Sequence, residues 1–222
     1  MERKKIHPEK QRLRNPTKMD TTMPQKLDTD KKIIGQADPG GIVPESSRIA
    51  YENRWLKIRE DIIRYPNGLK GMFGVVERNE FAVILPLHIN NEGIKIVTLI
   101  RQYRYPVGKF MWELPMGMWE LKPDATPEMV AAGELEEETG LRAANMVHGG
   151  ILYQGAGYST QKGHVFLATD LTQHSPKREE TELHMICHTI PLTQFEEMIQ
   201  NGQITCMVTI AAFCLLRSKK LV

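Results

Sequence analysis

An acidic segment that ends in a glycine carries the most structural information in this sequence: Gly133-Glu134-Leu135-Glu136-Glu137-Glu138-Thr139-Gly140-Leu141. Glu134, Glu137 and Glu138 stand at positions i, i+3 and i+4, so in a helix their carboxylates share one face. Like charges at these spacings destabilise a helix by about 0.2–0.5 kcal/mol per pair. Anions in the last turn also oppose the helix dipole, by roughly 0.3–1 kcal/mol each at low salt. A sequence selected only for helix stability would place Lys or Arg here.

Two interpretations of this acidic face are open from the run alone. It is either a solvated face, which is what most charge runs are, or a divalent-cation site. Hard cations such as Mg²⁺ bind carboxylate oxygens, keep several waters and bridge to substrate phosphates. Three carboxylates on one helix face, together with a diphosphate, would complete such a coordination shell.

Signals on either side of the acidic segment predict where its helix begins and ends. Thr126 suits the N-cap and Pro127 the first helical position. Gly140 suits the residue that terminates a helix. We therefore predict a helix over Pro127–Thr139.

Most of the remaining pattern predicts strands, with two more helices at the end of the chain. The predicted strands are Ile58–Arg64, Met72–Glu77, Phe81–His88, Ile94–Tyr103, Gly149–Tyr153, His164–Ala168 and His184–Ile190. Asn67-Gly68 suits a tight hairpin turn. Pro191 and Gly202 bracket a short helix, and a buried helix begins at about Thr205. This order predicts an α/β (α+β) fold in which a mixed sheet carries packed helices.

Length and composition indicate one globular domain and exclude a disordered or collagen-like chain. The 222 residues are 41% hydrophobic and 25% charged, with a net charge of +2. The three cysteines form no C-x-x-C pair, which predicts a reducing compartment and hence a cytoplasmic location. The longest apolar run, residues 204–216, is well short of the ~20 residues that span a bilayer, so no membrane partner is expected.

The N-terminal residues differ in composition from the rest. Residues 1–40 hold ten Lys or Arg and six Asp or Glu, with few apolar residues among several prolines. Such a stretch buries too little to offset its ordering entropy. We expect a flexible basic N-terminal extension over residues 1–44 and a single globular domain over residues 45–222. The cations are scattered among acids, which does not favour a nucleic-acid partner.

Two segments, read together, resemble the signature of the Nudix hydrolases. They are the acidic segment above and Trp112-Glu113-Leu114-Pro115-Met116-Gly117. The preceding stretch, Arg101-Gln102-Tyr103-Arg104-Tyr105-Pro106-Val107-Gly108, resembles that of the ADP-ribose pyrophosphatase branch, as do Gly155–Leu171 and the chain after Pro191. The resemblance extends over about Ser47–Leu216.

The resemblance implies a Nudix fold, with a mixed β-sheet between α-helices, and a homodimer in this branch. It implies hydrolysis, with Mg²⁺ or alternatively Mn²⁺, of the diphosphate linkage of a nucleoside diphosphate sugar such as ADP-ribose. The products would be a nucleoside monophosphate and a sugar phosphate. By the same resemblance, Glu134 and Glu138 are the principal metal ligands, Glu137 is a further ligand or base, and the Met116 carbonyl is a backbone ligand.

The substrate's phosphates are expected to meet an arginine. Arg104 matches an arginine that contacts phosphates in relatives. Arg101 and Arg104 are three residues apart, so on a regular strand they point to opposite faces. We therefore expect Arg104 in the pocket and Arg101 outside it. Glu113 is a candidate that supports the site or binds a ribose.

Two further roles are expected, each with an open alternative. Trp112, or Trp119 in its place, could stack on a nucleobase, although a core or rim position is the default for either indole. A general base in this branch often lies in an acidic downstream loop. Glu182 of Glu179-Glu180-x-Glu182 is our candidate. The alternative is a solvated loop.

The sequence also departs from the family pattern. The family's box arginine falls on Gly133 and its first glutamate on Ala125, and the loop between Gly117 and Glu134 carries two extra residues. Asp124 or Glu120 could stand in for the lost carboxylate, and plain loop variation is the alternative. Gly157 stands where ADP-ribose pyrophosphatases typically carry a proline, which leaves other nucleoside diphosphate sugars open.

These departures keep two rival functions open. One is a catalytically weak Nudix-fold module that binds nucleotides or regulates. The other is an RNA-end hydrolase whose basic extension holds RNA, in which case affinity should fall steeply with salt.

Overall fold

The computed structural model describes residues 34–119, 124–178 and 184–222. Its elements are β1 (Val43–Glu52), β2 (Lys57–Arg64), β3 (Lys70–Glu77), β4 (Phe81–Ile89), β5 (Lys95–Arg104), β6 (Lys109–Glu113), β7 (Met116–Gly117), α1 (Pro127–Thr139), β8 (Leu141–Tyr153), β9 (Lys162–Gln173), β10 (Ile186–Pro191), α2 (Leu192–Gln200) and α3 (Met207–Ser218).

The strands form two sheets. The smaller sheet is antiparallel, in the order β1-β2-β3. The larger sheet has the path β10-β5-β4-β9-β8, with β6 added to β5 and β7 added to β4. In it β4 and β9 run parallel, whereas β4 and β5 run antiparallel, so the larger sheet is mixed.

Strand β4 shows why helices cover both faces of the larger sheet. Its residues from Phe81 to Leu87 are buried without a polar alternation. Because successive side chains of a strand point to opposite faces, such a run requires apolar cover on each side. Ala82 and Ile84 pack with Val130, Ala131 and Leu135 of α1.

The opposite face of β4 meets the two C-terminal helices. Val83 and Leu85 belong to a cluster that includes Phe195 of α2 and Phe213 of α3, whose rings stack edge to face with centroids 5.0 Å apart. The mixed sheet therefore lies between helices, and the predicted fold class is confirmed. Within the described ranges, no helix has the length and apolar character needed to cross a membrane.

Several element bounds differ from the sequence prediction. Helix α1 has the predicted bounds. Strand β8 begins at Leu141 rather than Gly149, because it pairs with β9 along its whole length. Strand β10 begins at Ile186, two residues after the predicted start. Strands β1 and β6 were not predicted as separate elements, and both are held by pairing with a neighbouring hairpin strand.

Candidate active site

Helix α1 is fixed at both ends by its own sequence. The Thr126 hydroxyl accepts a hydrogen bond from the Met129 N–H over 3.3 Å, and Pro127 occupies the first turn. Gly140 has φ 74°, a left-handed conformation that favours glycine, and its N–H donates to the Glu136 carbonyl. These caps place the acidic face of α1 immediately before β8.

Basic residues from other segments of the chain contact the acidic end of α1. Its last turn holds no basic residue. The Arg178 Nε instead donates to the Glu138 carbonyl over 3.0 Å, and the Lys177 N–H donates to the Glu137 carbonyl over 3.0 Å. Arg142 and then Lys177, both bonded to Glu136, lower the pKa of that carboxyl to about 2. The loop after β9 thus offsets an unfavourable helix end.

Two of the predicted metal ligands lie buried against strand β7. Glu138 is 2% exposed, and its Oε2 accepts a hydrogen bond from the Met116 N–H over 3.0 Å. Glu134 is 8% exposed. Its carboxylate lies directly over Gly117, where a Cβ would approach Oε1 to 2.6 Å. The close approach explains the glycine at position 117.

The structure therefore brings Glu134, Glu138 and Met116 together, as the sequence predicts. Glu137 is on the same helix face and is half-buried. Whether these groups bind a metal, and whether the Met116 carbonyl takes part, stays a prediction.

These groups fit a hard divalent cation. Carboxylate and carbonyl oxygens are the donors that such a cation prefers. Among the described residues, no three His, Cys, Asp or Glu side chains converge to enclose an ion. An ion here would complete its shell with water and phosphate oxygens, which is the usual behaviour of Mg²⁺.

A cavity of about 410 Å³ opens beside Gly117 and extends to the β5–β6 hairpin, a volume within the range of ligand pockets. It includes Arg104 and Glu113, whose side chains form an ion pair. Its described lining residues are Arg78, Phe81, Arg104, Pro106, Val107, Met111, Glu113, Met116, Gly117, Met118, Gln154, Gln161, Thr205, Cys206, Met207 and Val208. Met116 and Gly117, which contact the carboxylates of Glu138 and Glu134, thus line the same cavity as Arg104.

The two arginines of the hairpin have separate environments. Arg104 lines the cavity. Arg101 lies over the rings of Phe110 and Trp112, with its guanidinium carbon 4.8 Å and 5.8 Å from the ring centroids. The expected separation of the two side chains is therefore observed.

Several candidates lie away from this cavity or outside the described residues. Trp112 packs near His188, with ring centroids 5.6 Å apart, and is absent from the described lining of the cavity. Asp124 is exposed. Glu182 and Glu120 lie outside the described residues, so their roles stay predictions.

Two residues near the acidic face were not assigned these contacts from the sequence. Arg178 anchors the end of α1, as described above. The indole of Trp119 lies on Gly133, where a Cβ would approach Cη2 to 2.7 Å and Cζ2 more closely still. The signal in the sequence for the contact of Trp119 with Gly133 was the glycine itself, because a glycine inside a helix usually has a packing or functional reason.

Comparison with known proteins gives two family matches and several relatives. The family described as the NUDIX domain matches residues 79–206, and the family described as the nucleoside diphosphate sugar hydrolase N-terminal domain matches residues 45–76. The chain is 28% identical over 170 residues to a protein of Mycobacterium tuberculosis named ADP-ribose pyrophosphatase, across 75% of this chain and 78% of that protein. It is 32% identical over 120 residues to a Bacillus subtilis protein of the same name, across 54% of this chain and 62% of that protein.

A solved structure shares the fold. The crystal structure of an ADP compounds hydrolase superposes with a TM-score of 0.68 over 85% of this chain and 96% of that one, at 18% identity. The NUDIX match alone covers more than half of the 222 residues. With the sandwiched mixed sheet and the carboxylates of α1 folded against β7, this match shows that the chain belongs to the Nudix hydrolase family.

Proposed function

We propose that this protein hydrolyses the diphosphate linkage of a nucleoside diphosphate sugar, with ADP-ribose as the first candidate substrate. The observation that carries the proposal is the position of Glu134 and Glu138, which lie buried against β7. The two residues of β7, Met116 and Gly117, line the same cavity as Arg104. The match to a nucleoside diphosphate sugar hydrolase N-terminal domain and the relatives named ADP-ribose pyrophosphatase support the substrate class.

The carboxylates of α1 and the Arg104–Glu113 pair have different parts in the reaction. Glu134 and Glu138 hold a divalent cation, proposed to be Mg²⁺ with Mn²⁺ as a substitute. When bound, the cation supplies positive charge opposite the diphosphate and activates water. Arg104 binds a phosphate oxygen through its guanidinium and is itself held by Glu113.

The water that attacks phosphorus needs a proton acceptor. Glu182 is the candidate from the acidic downstream loop, and Glu137, half-buried on the same helix face, is the other. Attack breaks one phosphorus–oxygen bond of the diphosphate and releases a nucleoside monophosphate and a sugar phosphate. Both products keep a phosphate monoester, which makes them easy to separate from the substrate.

The experiment that tests this function is a product assay on the full chain. ADP-ribose and a set of other nucleoside diphosphate sugars are incubated with the protein at millimolar Mg²⁺, and products are separated by chromatography. The proposal expects AMP and ribose 5-phosphate from ADP-ribose, and no products when a chelator is added. A chain that releases no monophosphate from any of these substrates with Mg²⁺ or Mn²⁺ contradicts it.

We also propose a homodimer that uses the smaller sheet. That sheet carries apolar side chains that are roughly half exposed, namely Ile49, Tyr51 and Met72 at 48%, 54% and 62%. An apolar surface of this kind favours burial against a partner. Light scattering of the purified chain should give twice its 25.4 kDa mass, and a monomer at micromolar concentration would contradict the dimer.

The division of the chain and its location are proposals of the same kind. We propose an N-terminal extension over residues 1–44 and a catalytic domain over residues 45–222. The family matches, which begin at residue 45, support this boundary. A cytoplasmic location is supported by Cys187, Cys206 and Cys214, which are all free thiols.

A further inference from the structure

We propose that Trp119 is a positioning residue that takes the place of the missing box arginine and holds residues 116–119 against α1. The family arginine falls on Gly133. In this structure the indole of Trp119 covers that position, so closely that no Cβ fits between them. The position of the Trp119 ring therefore requires a glycine at position 133.

The contact is half of a reciprocal fit between two neighbouring segments. Within residues 116–119, Gly117 leaves room for the carboxylate of Glu134. On the helix side, Gly133 leaves room for the ring of Trp119. Each segment contributes one large side chain and one glycine, so a displacement of either segment breaks both contacts. The fit therefore acts on the helix at Gly133, directly before Glu134.

The contacts between residues 116–119 and α1 differ in their chemistry. The Met116 N–H donates to Glu138 Oε2, and the Glu134 carboxylate lies on Gly117. Both of these use carboxylates that we propose as cation ligands, so they share atoms with the cation site. The contact of Trp119 with Gly133 uses no ionisable group. It is therefore independent of the charge of these carboxylates.

Ala125, the second departure from the family pattern, lines the same cavity as the Trp119 ring. Ala125, which stands where the family has its first box glutamate, lines a cavity of about 320 Å³ together with Trp119 and Val130. Trp119 also packs on the apolar cluster that contains Val130 and Leu135. Neither Ala125 nor Gly133 thus carries a charged side chain, and the Trp119 ring lies near both.

The test uses the smallest possible intrusion, Gly133→Ala, in two backgrounds. In the parent chain the added methyl group must displace Trp119. In a Trp119→Ala chain the ring atoms nearest to that methyl group are gone, and the change replaces a helical glycine by the best helix former. The thermal midpoint of the cation-free full chain should therefore fall with Gly133→Ala alone and rise with Gly133→Ala added to Trp119→Ala. An equal effect in both backgrounds would overturn the proposed contact.

Positioning is tested by Mn²⁺ titration of the same chains, with free Mn²⁺ measured by electron paramagnetic resonance. Supporting residues of metal sites typically change affinity by 10–100-fold, so Trp119→Ala and Gly133→Ala should each weaken Mn²⁺ binding by about tenfold. Trp119→Phe retains a ring and should stay within about threefold of the parent. Mn²⁺ affinity in Trp119→Ala equal to that of the parent would overturn the positioning role.

The inference rests on the proposed cation site, and the same titration separates the two. A parent chain that binds no Mn²⁺ would contradict the cation site of the proposed function, and with it the positioning role. The opposite signs of the two thermal shifts would still decide whether Trp119 occupies the place of the arginine.

Discussion

Arg104 and Glu113 form an ion pair within the β5–β6 hairpin, with the Arg104 Nε donating to Glu113 Oε2 over 2.9 Å. The Glu113 side chain is 4% exposed and that of Arg104 is 36% exposed. A buried carboxylate thus holds one edge of a guanidinium whose residue also lines the candidate substrate cavity. The pair presents a fixed cation to an incoming phosphate.

Replacement of Arg104 by alanine should lower kcat/KM by about 10–100-fold, which corresponds to a charged hydrogen bond of about 1.5–3 kcal/mol. Steady-state kinetics with ADP-ribose measures the change. Because the variant leaves the Glu113 carboxylate without its cation, Arg104→Ala combined with Glu113→Gln controls for loss of folding. Arg101→Ala is the matched control, since Arg101 packs on Phe110 instead. Equal losses for both arginines would contradict the assignment.

Restoration of the family's arginine by Gly133→Arg should lower the activity. The side chain would have to displace the Trp119 ring, which already occupies the place of the arginine. Combining Gly133→Arg with Trp119→Ala should recover part of the loss. Steady-state kcat of the single and double variants measures the loss and its recovery. A large gain from Gly133→Arg alone would instead mark the natural chain as impaired and support the weak binding module.

Loss of Arg178 should destabilise the protein. Arg178 donates to the Glu138 carbonyl over 3.0 Å and to the Met185 carbonyl over 2.5 Å, so it ties the end of α1 to the segment before β10. Hydrogen bonds from a charged donor contribute about 1.5–3 kcal/mol, so Arg178→Ala should lower the free energy of unfolding by about 2 kcal/mol. Urea denaturation with an unchanged m-value measures it.

Arg142→Ala is the control for that experiment. Arg142 is another cation at the acidic end of α1, but its pair with Glu136 is exposed to solvent, where ion pairs contribute little. Its removal should change the urea midpoint much less than Arg178→Ala does. Similar shifts for the two variants would show that the net charge at this helix end matters more than the bonds of Arg178.

Glu80 should make stability depend on pH in acid. Partial burial raises its pKa, but hydrogen bonds from His164 and Lys162 outweigh burial and hold the pKa below the usual 4.5. A lowered folded-state pKa stabilises the protein above the unfolded-state value, and that contribution is lost as the pH falls through the folded-state value.

Glu80→Gln should therefore be less stable than the parent at pH 7, with a difference that narrows as the pH falls below 4.5. Urea midpoints measured at a series of pH values give this comparison. Glu92→Gln, at an exposed turn, is the control for the removal of one acidic charge. A gap between Glu80→Gln and the parent that widens in acid would contradict the sign of the pKa shift.

Local signals predicted the elements that carry their own boundaries. Helix α1 was predictable because Thr126, Pro127 and Gly140 act within one or two turns of the backbone they cap. Strand β4 was predictable because its burial on both faces requires a continuous apolar run. That Glu134 and Glu138 share one face of α1 followed from their helical spacing alone.

Contacts between segments that are distant in sequence were harder to predict from the sequence. Strand β1 is held by register with β2, and many of its side chains are exposed, so its own residues give little pattern. Trp119 meets Gly133 of α1, which lies in a different segment of the chain. Arg178 approaches the end of α1 from beyond β9. Such contacts depend on tertiary geometry, which spacing in one sequence does not specify.

The most direct test of the central claim compares Glu138→Gln with Glu136→Gln in the ADP-ribose product assay at millimolar Mg²⁺. Glu138 is buried against β7 as a proposed cation ligand, whereas Glu136, two residues away, pairs with Arg142 and Lys177. Both variants remove one carboxylate from the same helix. We predict that Glu138→Gln nearly abolishes turnover with an unchanged fold by circular dichroism, and that Glu136→Gln retains it. Turnover by Glu138→Gln within about threefold of the parent, far from the loss expected for a metal ligand, would contradict the proposed site.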